Sequence, residues 1–408
     1  MERPVLETYT QINDILLREL DGQIDSIFEE IRGIRRYLHM NPELGFETQN
    51  TQRVVTEFLT REGIEIVPGE IGVLGLIRGA SDTLIALRAD MDALPLQEEN
   101  DIEYRSTVPG RMHACGHDGH TAMLLGAAKL LKQHREKLSH SVLLVFQPAE
   151  EGPNMSGARD MLPELERSGL TKRIAGIFGL HLFNDYALGT VGIRYGSMFA
   201  STDEFYIKIL GKGGHAGLPH RTVDAISVGS KFVCDMESFM SRRISPTEPA
   251  VFSVGVFKAG SAINIVSESA TISGTIRCHS EETRALILES MERILKGLCD
   301  AFQAGYQLDV VHGLPVLIND GALVTYAKQA ACQAVGAQNV FEVSTPNMGA
   351  EDFAYFAQRF PAAYAVIGSA NPDKGYCVLG HNPKFDFDED AMRSGIKLLC
   401  CIALGARA

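Results

Sequence analysis

Apolar residues at Ile12, Ile15, Leu16, Ile24, Ile27, Phe28, Ile31 and Ile34 recur at helical spacing, which predicts a long amphipathic helix near the start of the chain. Asn41-Pro42 ends it, because proline disfavours helix in the residue before it. Short apolar runs then alternate with helical patterns. Residues 84–87, 142–146 and 174–182 read as buried strands, and 121–138 as a helix with Met123, Leu124, Ala127, Leu130 and Leu131 on one side. This alternation predicts an α/β fold: a mixed, mainly parallel sheet with helices on both faces. Each strand runs into polar groups, first Asp90 and Asp92, then Glu150 and Glu151, then His181. Ligands of open α/β sheets bind beyond the carboxyl ends of the strands, so these distant segments are expected to converge.

The middle of the chain has a different rhythm. Residues 205–210 alternate like a half-buried strand, 223–244 form a long helical stretch, and 251–257 and 270–277 read as strands. A helical pattern over 281–302 and a short strand at 307–311 complete the order β-α-β-β-α-β, the ferredoxin-like arrangement. Helix and strand patterns then resume, with 363–367 as a buried strand and His381 in the loop beyond. The expected organisation is a discontinuous catalytic domain, 1–198 and 312–408, interrupted by an inserted domain at 199–311.

Composition narrows the class. A chain of 408 residues exceeds what one hydrophobic core usually supports. At 45% hydrophobic and 22% charged it matches a globular enzyme rather than a disordered chain. Its net charge of -13 is scattered, which argues against nucleic acid or an anionic membrane as partner. No run approaches the ~18 apolar residues of a membrane span. Met1-Glu2-Arg3-Pro4 leads into polar residues, unlike a signal peptide. The eight cysteines then read as reduced thiols, and the expected compartment is the cytoplasm. In such a compartment the formal glycosylation sequon Asn154-Met155-Ser156 carries no meaning.

The densest chemistry lies in His113-Ala114-Cys115-Gly116-His117-Asp118-Gly119-His120. Cysteine and histidine two residues apart, beside glycines that free the backbone, can turn two donors toward one centre. Glu150 and Glu151 supply adjacent carboxylates that point in different directions on extended backbone. One can bind a metal while its neighbour takes a proton from water, a division that suits hydrolysis. With His181 and His381, the donors Cys115, His117 and Glu151 number five, enough for two metals that share one bridge. The loop from Gly211 to Gly217 lacks the spacing of a dinucleotide-binding turn.

These motifs make the chain similar to the hippurate hydrolase and indole-acetyl-amino-acid hydrolase subfamily of the di-metal aminoacylase and carboxypeptidase superfamily. The resemblance rests on Arg88-Ala89-Asp90-Met91-Asp92-Ala93-Leu94-Pro95, on residues 112–120, 147–152, 179–181, 211–219 and 349–353, and on Leu379-Gly380-His381-Asn382-Pro383. It implies that Cys115 bridges two divalent cations, with His117 and His181 on one and Glu151 and His381 on the other. Zinc or manganese is implied, with cobalt or nickel as substitutes; Asp90 stands where the wider superfamily has a liganding histidine, and Cys115 where it has a bridging aspartate. The same resemblance makes Glu150 the general base, Asp92 a residue that orients a ligand, and His215 a group that polarises the scissile carbonyl in the partner subunit's site. Asn264 and Arg277 match positions that bind the substrate's carboxylate, a role for which a guanidinium fork is suited.

The expected reaction is hydrolysis of an N-acyl amino acid to a carboxylic acid and a free amino acid, by a homodimer or higher homo-oligomer. Two other readings compete: Cys115 as the nucleophile of an acyl-enzyme mechanism, and a dimeric binding module of the same fold without catalysis. The first leaves His181, His381 and Glu151 unused, and the second leaves Glu150 unexplained.

Overall fold

Asn13 starts the first helix: its side chain accepts the Leu16 N–H at 2.9 Å, which satisfies one of the free donors of a helix N-terminus. The helix runs over Asp14–Met40 and buries Leu20, Ile24, Ile27, Phe28 and Ile31. The computed structural model describes residues 4, 6, 8–152 and 155–406, so Met1, Glu2, Arg3 and the sequon's Asn154 lie outside the described residues. The chain divides into two compact units, one comprising Met1–Gly196, Ile318–Thr345 and Tyr355–Ala408, the other Ser197–Leu317 and Pro346–Ala354.

The first unit is built on an eight-stranded sheet. Its order is Glu65–Val67, Val73–Ile77, His140–Gln147, Ser81–Asp90, Ile174–Ala187, Ala362–Ala370, Val191–Ile193 and Val340–Glu342. The three central pairings and the one at the far edge are parallel; the other three are antiparallel. The sheet is therefore mixed and mainly parallel. His140–Gln147 is buried along its whole length, as expected of a strand covered on both faces. The helix His117–Gln133 packs on Asp14–Met40 and on Ala391–Leu404, joining one apolar core through Leu124, Leu131, Ile31 and Ile396.

Register explains why the polar strand ends meet. Asp90 pairs with Gln147, and Arg88 pairs with Val145 on one side and Gly179 on the other. Asp90, Gln147 and the vicinity of His181 thus stand at one level across three neighbouring strands. The strand carrying His181 runs on to Ala187, beyond the 174–182 expected from its apolar run, because it keeps pairing with Ala362–Ala370 as far as Ala187.

The second unit holds a four-stranded antiparallel sheet in the order Ala250–Ala259, Ser269–Cys278, Ser201–Leu210 and Gly305–His312. The helices Ala225–Arg243 and Glu281–Phe302 pack on it. Strict alternation in Ser201–Leu210 buries Phe205, Ile207 and Ile209 and leaves Glu204, Tyr206 and Lys208 exposed, the signature of a sheet covered on one face. A two-residue ladder between Gly214–His215 and Ile265–Val266 stands apart from it.

Among the described residues, no helix is long and apolar enough to cross a membrane.

Candidate metal centre

Three backbone features aim the donors. Gly116 takes a left-handed φ of 89° at the N-cap of His117–Gln133, a conformation glycine adopts at no steric cost, and turns the chain between Cys115 and His117. Ala149 (φ 55°) and His381 (φ 62°) are also left-handed, although neither is glycine. Strain of this kind costs on the order of 1–3 kcal/mol and persists where the surroundings over-determine it. The Ala149 N–H is held by Gly45 O at 3.1 Å, and the His381 N–H by Ala114 O at 2.7 Å.

All six residues read as ligands or base come together in the first unit. Cys115 Sγ lies 3.3 Å from His181 Nε2, and His381 Nε2 lies 3.1 Å from Glu151 Oε1. His117 Nε2 is 3.8 Å from Glu151 Oε1 and 4.0 Å from Glu150 Oε2. The donor atoms of Cys115, His117 and His181 form one group within 4.8 Å of one another, and those of Cys115, Glu151 and His381 form a second. Cys115 belongs to both.

The residues fit a divalent cation. Neither ring nitrogen of buried His117 makes a hydrogen bond, Asp92 Oδ1 lying 3.5 Å from Nδ1, and orphaned buried polar atoms are costly. Donors at bonds of about 2.0–2.3 Å around a tetrahedral ion stand about 3.3–3.8 Å apart, close to the separations found. His181 donates through Nδ1 to Leu182 O at 2.7 Å, which leaves its Nε2 lone pair facing the thiol. Charge points the same way. Burial pushes the Cys115 thiol well up, and the Glu151 and Glu150 carboxylates push it further. Burial pulls His117 down, but Asp90, Asp92 and Glu151 overcome it and lift the imidazole to about 10. Burial and the neighbouring His120 charge push His181 the other way, well down, which keeps its Nε2 lone pair free for a cation.

Behind the donors sits a buried polar layer. Asp92 accepts the Glu150 N–H through Oδ1 and the Glu151 N–H through Oδ2, each at 3.0 Å, and its Oδ1 is 3.5 Å from His117 Nδ1. Asp90 accepts from Arg88 at 2.6 Å and from His120 Nδ1 at 2.6 Å. The other nitrogen of His120 accepts the Leu182 N–H at 2.9 Å, so His120 ties Asp90 to the strand of His181. Sequence reading leaves Arg88 and His120 without a role. The available signal is spacing: three residues after His117 on the same helix puts His120 on the same side.

The remaining candidates lie in the second unit. Ala216 N–H donates to Asn264 O at 3.0 Å, so the backbone next to His215 and that of Asn264 are adjacent. Both side chains are exposed. The Gly217 N–H donates to His215 Nδ1 at 2.9 Å, which puts the proton of the neutral ring on Nε2. Arg277 lies on a separate strand opposite Thr202 and Val251. Burial pulls its guanidinium down, against the nearby Glu204 and Asp203 charges.

The chain matches the model of peptidase family M20/M25/M40 over residues 86–405. It is 37% identical over 385 residues to the IAA-amino acid hydrolase ILR1-like 4 of Arabidopsis thaliana, covering 93% of this chain and 86% of that one. It is 38% identical over 363 residues to the N-acetylcysteine deacetylase of Bacillus subtilis, covering 88% and 92%. The crystal structure of the Bacillus subtilis YXEP protein, described as a dinuclear metal binding peptidase from the M20 family, matches with a TM-score of 0.78 at 31% identity, covering 93% of this chain and 98% of that one. Fold and site together define a hydrolase of the metallopeptidase type. The chain belongs to peptidase family M20/M25/M40 and, within it, to the subfamily of hippurate and indole-acetyl-amino-acid hydrolases.

Proposed function

We propose that this hydrolase cleaves the amide bond of N-acyl amino acids, releasing a carboxylic acid and a free amino acid. The observation that carries the reading is the shared position of Cys115 in two donor groups with Glu150 beside them. Two divalent cations held there, zinc or manganese with cobalt or nickel as substitutes, would polarise the scissile carbonyl and acidify a water. Glu150 takes the proton from that water as its oxygen attacks the carbonyl carbon, and returns it to the amine nitrogen as the C–N bond breaks. Asp92 keeps Glu150 and Glu151 in register by holding both peptide N–H groups.

His215 acts on the carbonyl oxygen in the site of a second subunit. The Gly217 N–H at its Nδ1 supports this, because it leaves Nε2–H as the outward donor. Arg277 and Asn264 bind the free carboxylate of the substrate. Among the described residues no hydrogen bond or ion pair ends on the Arg277 guanidinium, which supports a role toward an external anion. A homodimer is supported by the edge strand Ala250–Ala259 of the second unit, whose Val256 and Phe257 are exposed along with Ile263 and Ile265. Unpaired strand edges favour pairing with another copy. Eight free cysteines support a reducing, cytoplasmic setting.

The cysteine-nucleophile reading draws on the Cys115–His181 approach of 3.3 Å. The thiol pushed well up by burial opposes it, since the thiolate is the nucleophile. Chelator-stripped protein assayed on a panel of acyl amino acids, with and without added cation, tests the proposal. Activity that requires the cation is the expected result. Full activity without metal, stopped by a thiol alkylator, would overturn it.

A further inference from the structure

A second buried polar cluster lies beside the donor groups, and the reaction described above does not use it. Its centre is Arg35, fully buried on the helix Asp14–Met40. The guanidinium meets Asp118 Oδ2 at 2.8 Å, Asp386 Oδ1 at 2.7 Å and Glu389 Oε1 at 3.4 Å. Asp118 directly follows His117. Asp386 and Glu389 belong to the segment that follows His381. One side chain therefore spans the two stretches of chain that carry donors of different groups.

The surroundings repeat that connection. His39, one turn on from Arg35, bonds Asp118 at 2.8 Å and Glu98 at 3.2 Å. Asn100 Nδ2 donates to Glu98 at 3.1 Å and to Phe385 O at 2.9 Å, and the Glu99 N–H donates to Pro383 O at 2.9 Å. The Tyr104 hydroxyl donates to Asp386 at 2.6 Å. Replacing buried ion clusters of this kind with apolar residues is often neutral or stabilising, so stability alone is a poor reason for this one. A cluster that joins two ligand-bearing segments has another use.

We propose that Arg35 is a positioning residue for the metal centre, holding the loop of His381 at a fixed separation from His117 through its arms to Asp386 and Asp118. The two ends of the clamp are unequal. His117 sits in the first turn of a long helix fixed by the core. His381 sits in a loop, left-handed and with an exposed side chain. Loss of the clamp therefore loosens the group of Cys115, Glu151 and His381 and spares that of Cys115, His117 and His181.

This inference rests on the metal reading of the site. Its test is metal binding to the full-length protein, stripped and then titrated with zinc against a chromophoric chelator. Arg35→Met, Asp386→Asn, His381→Ala and the double variant Arg35→Met/His381→Ala are compared with wild type. Wild type should hold two ions. Arg35→Met and Asp386→Asn should keep the ion of Cys115, His117 and His181 nearly unchanged and bind the other more weakly, by at most the ~10–100-fold that removal of a direct partner of a metal ligand costs. In the His381→Ala background, Arg35→Met should weaken the remaining ion no further. The cobalt spectrum of singly loaded Asp386→Asn should overlay that of His381→Ala. If Arg35→Met does not fold, Asp386→Asn and its spectrum decide. Wild type that holds fewer than two ions would overturn the metal reading and the clamp with it. Two ions in wild type, with Asp386→Asn holding both as tightly or losing both equally, would overturn the clamp alone.

Discussion

The carboxylate of Asp92 accepts the peptide N–H of Glu150 at 3.0 Å, and its second oxygen accepts the next N–H in the chain at the same distance. The two glutamates lie in a bend after left-handed Ala149, and the peptide held by Asp92 fixes how both carboxylates approach His117 Nε2, at 4.0 and 3.8 Å. Asp92→Asn places an amide NH2 against one of these N–H donors. A charge-assisted bond is lost and a buried donor is left unpaired, at a cost of about 1–3 kcal/mol. We expect kcat to fall by roughly tenfold or more while KM changes little, as checked by steady-state kinetics of the metal-loaded variant.

The two glutamates should separate cleanly. Glu150→Gln is expected to retain metal and lose at least ~10²-fold in kcat, the low end for removal of a general base. Glu151→Ala is expected to lose metal affinity, because its Oε1 stands 3.1 Å from His381 Nε2 and 3.8 Å from His117 Nε2. Elemental analysis beside kinetics checks both. Metal loss in the Glu150 variant with retention in the Glu151 variant would reverse the roles.

Asp92, Glu150 and Glu151 were legible in the sequence because each stands just past an apolar strand, and Cys115 and His117 because they open a helix. What escaped was set by contacts remote in the chain. Arg35 and Asp386 lie 351 residues apart, and nothing in the local pattern around either marks a buried ion pair. The helix expected from residue 121 begins at His117, because its N-cap is Gly116, with no side-chain hydrogen bond and so no Ser, Thr or Asp to signal the start. The ladder that carries His215 has only two residues per strand, too few for alternation to show. In the inserted unit, by contrast, the helix Glu281–Phe302 agrees with its pattern to the residue. Ser280 caps it through the Thr283 N–H at 3.0 Å.

Stability should fall in alkali through His39. Burial and the adjacent Arg35 push its imidazolium down, but the bonds to Asp118 and Glu98 outweigh them and raise the pKa to about 9. A raised pKa means the charged ring stabilises the fold fully below its ordinary value of ~6.5, and that contribution is lost as pH climbs through about 9. A tenfold change in proton affinity corresponds to about 1.4 kcal/mol, so the loss is at most about 3.5 kcal/mol across this window. Urea unfolding at pH 6 to 10 should show the decline in wild type and a flatter profile in His39→Gln.

A free carboxylate on the substrate should matter. Arg277 is half-buried, and burial already pulls its guanidinium down, so it gains most from an anionic partner. Capping the substrate's carboxylate as an amide is expected to cost roughly 1–2 kcal/mol in kcat/KM, because solvent partly screens a half-buried ion pair. An amide cleaved as well as the free acid would exclude Arg277 from this role.

The proposed sharing of sites between subunits yields the most discriminating test. Glu150→Gln and His215→Ala homodimers should each be nearly inactive. Complementation requires that each active site draw Glu150 from one chain and His215 from the other. In a mixed dimer, one site then receives intact copies of both residues, and the second site carries both lesions. Random pairing makes half the dimers mixed, so coexpression should recover roughly a quarter of wild-type sites. Differently tagged chains purified in tandem isolate the mixed species, in which the expectation rises to about half of its sites. Recovery depends on His215 keeping its outward Nε2–H, which the Gly217 N–H at 2.9 Å secures. His215→Gln, which retains a donor, should therefore lose less than His215→Ala. Verified mixed dimers without recovery would assign His215 to its own subunit's site, or to no catalytic role.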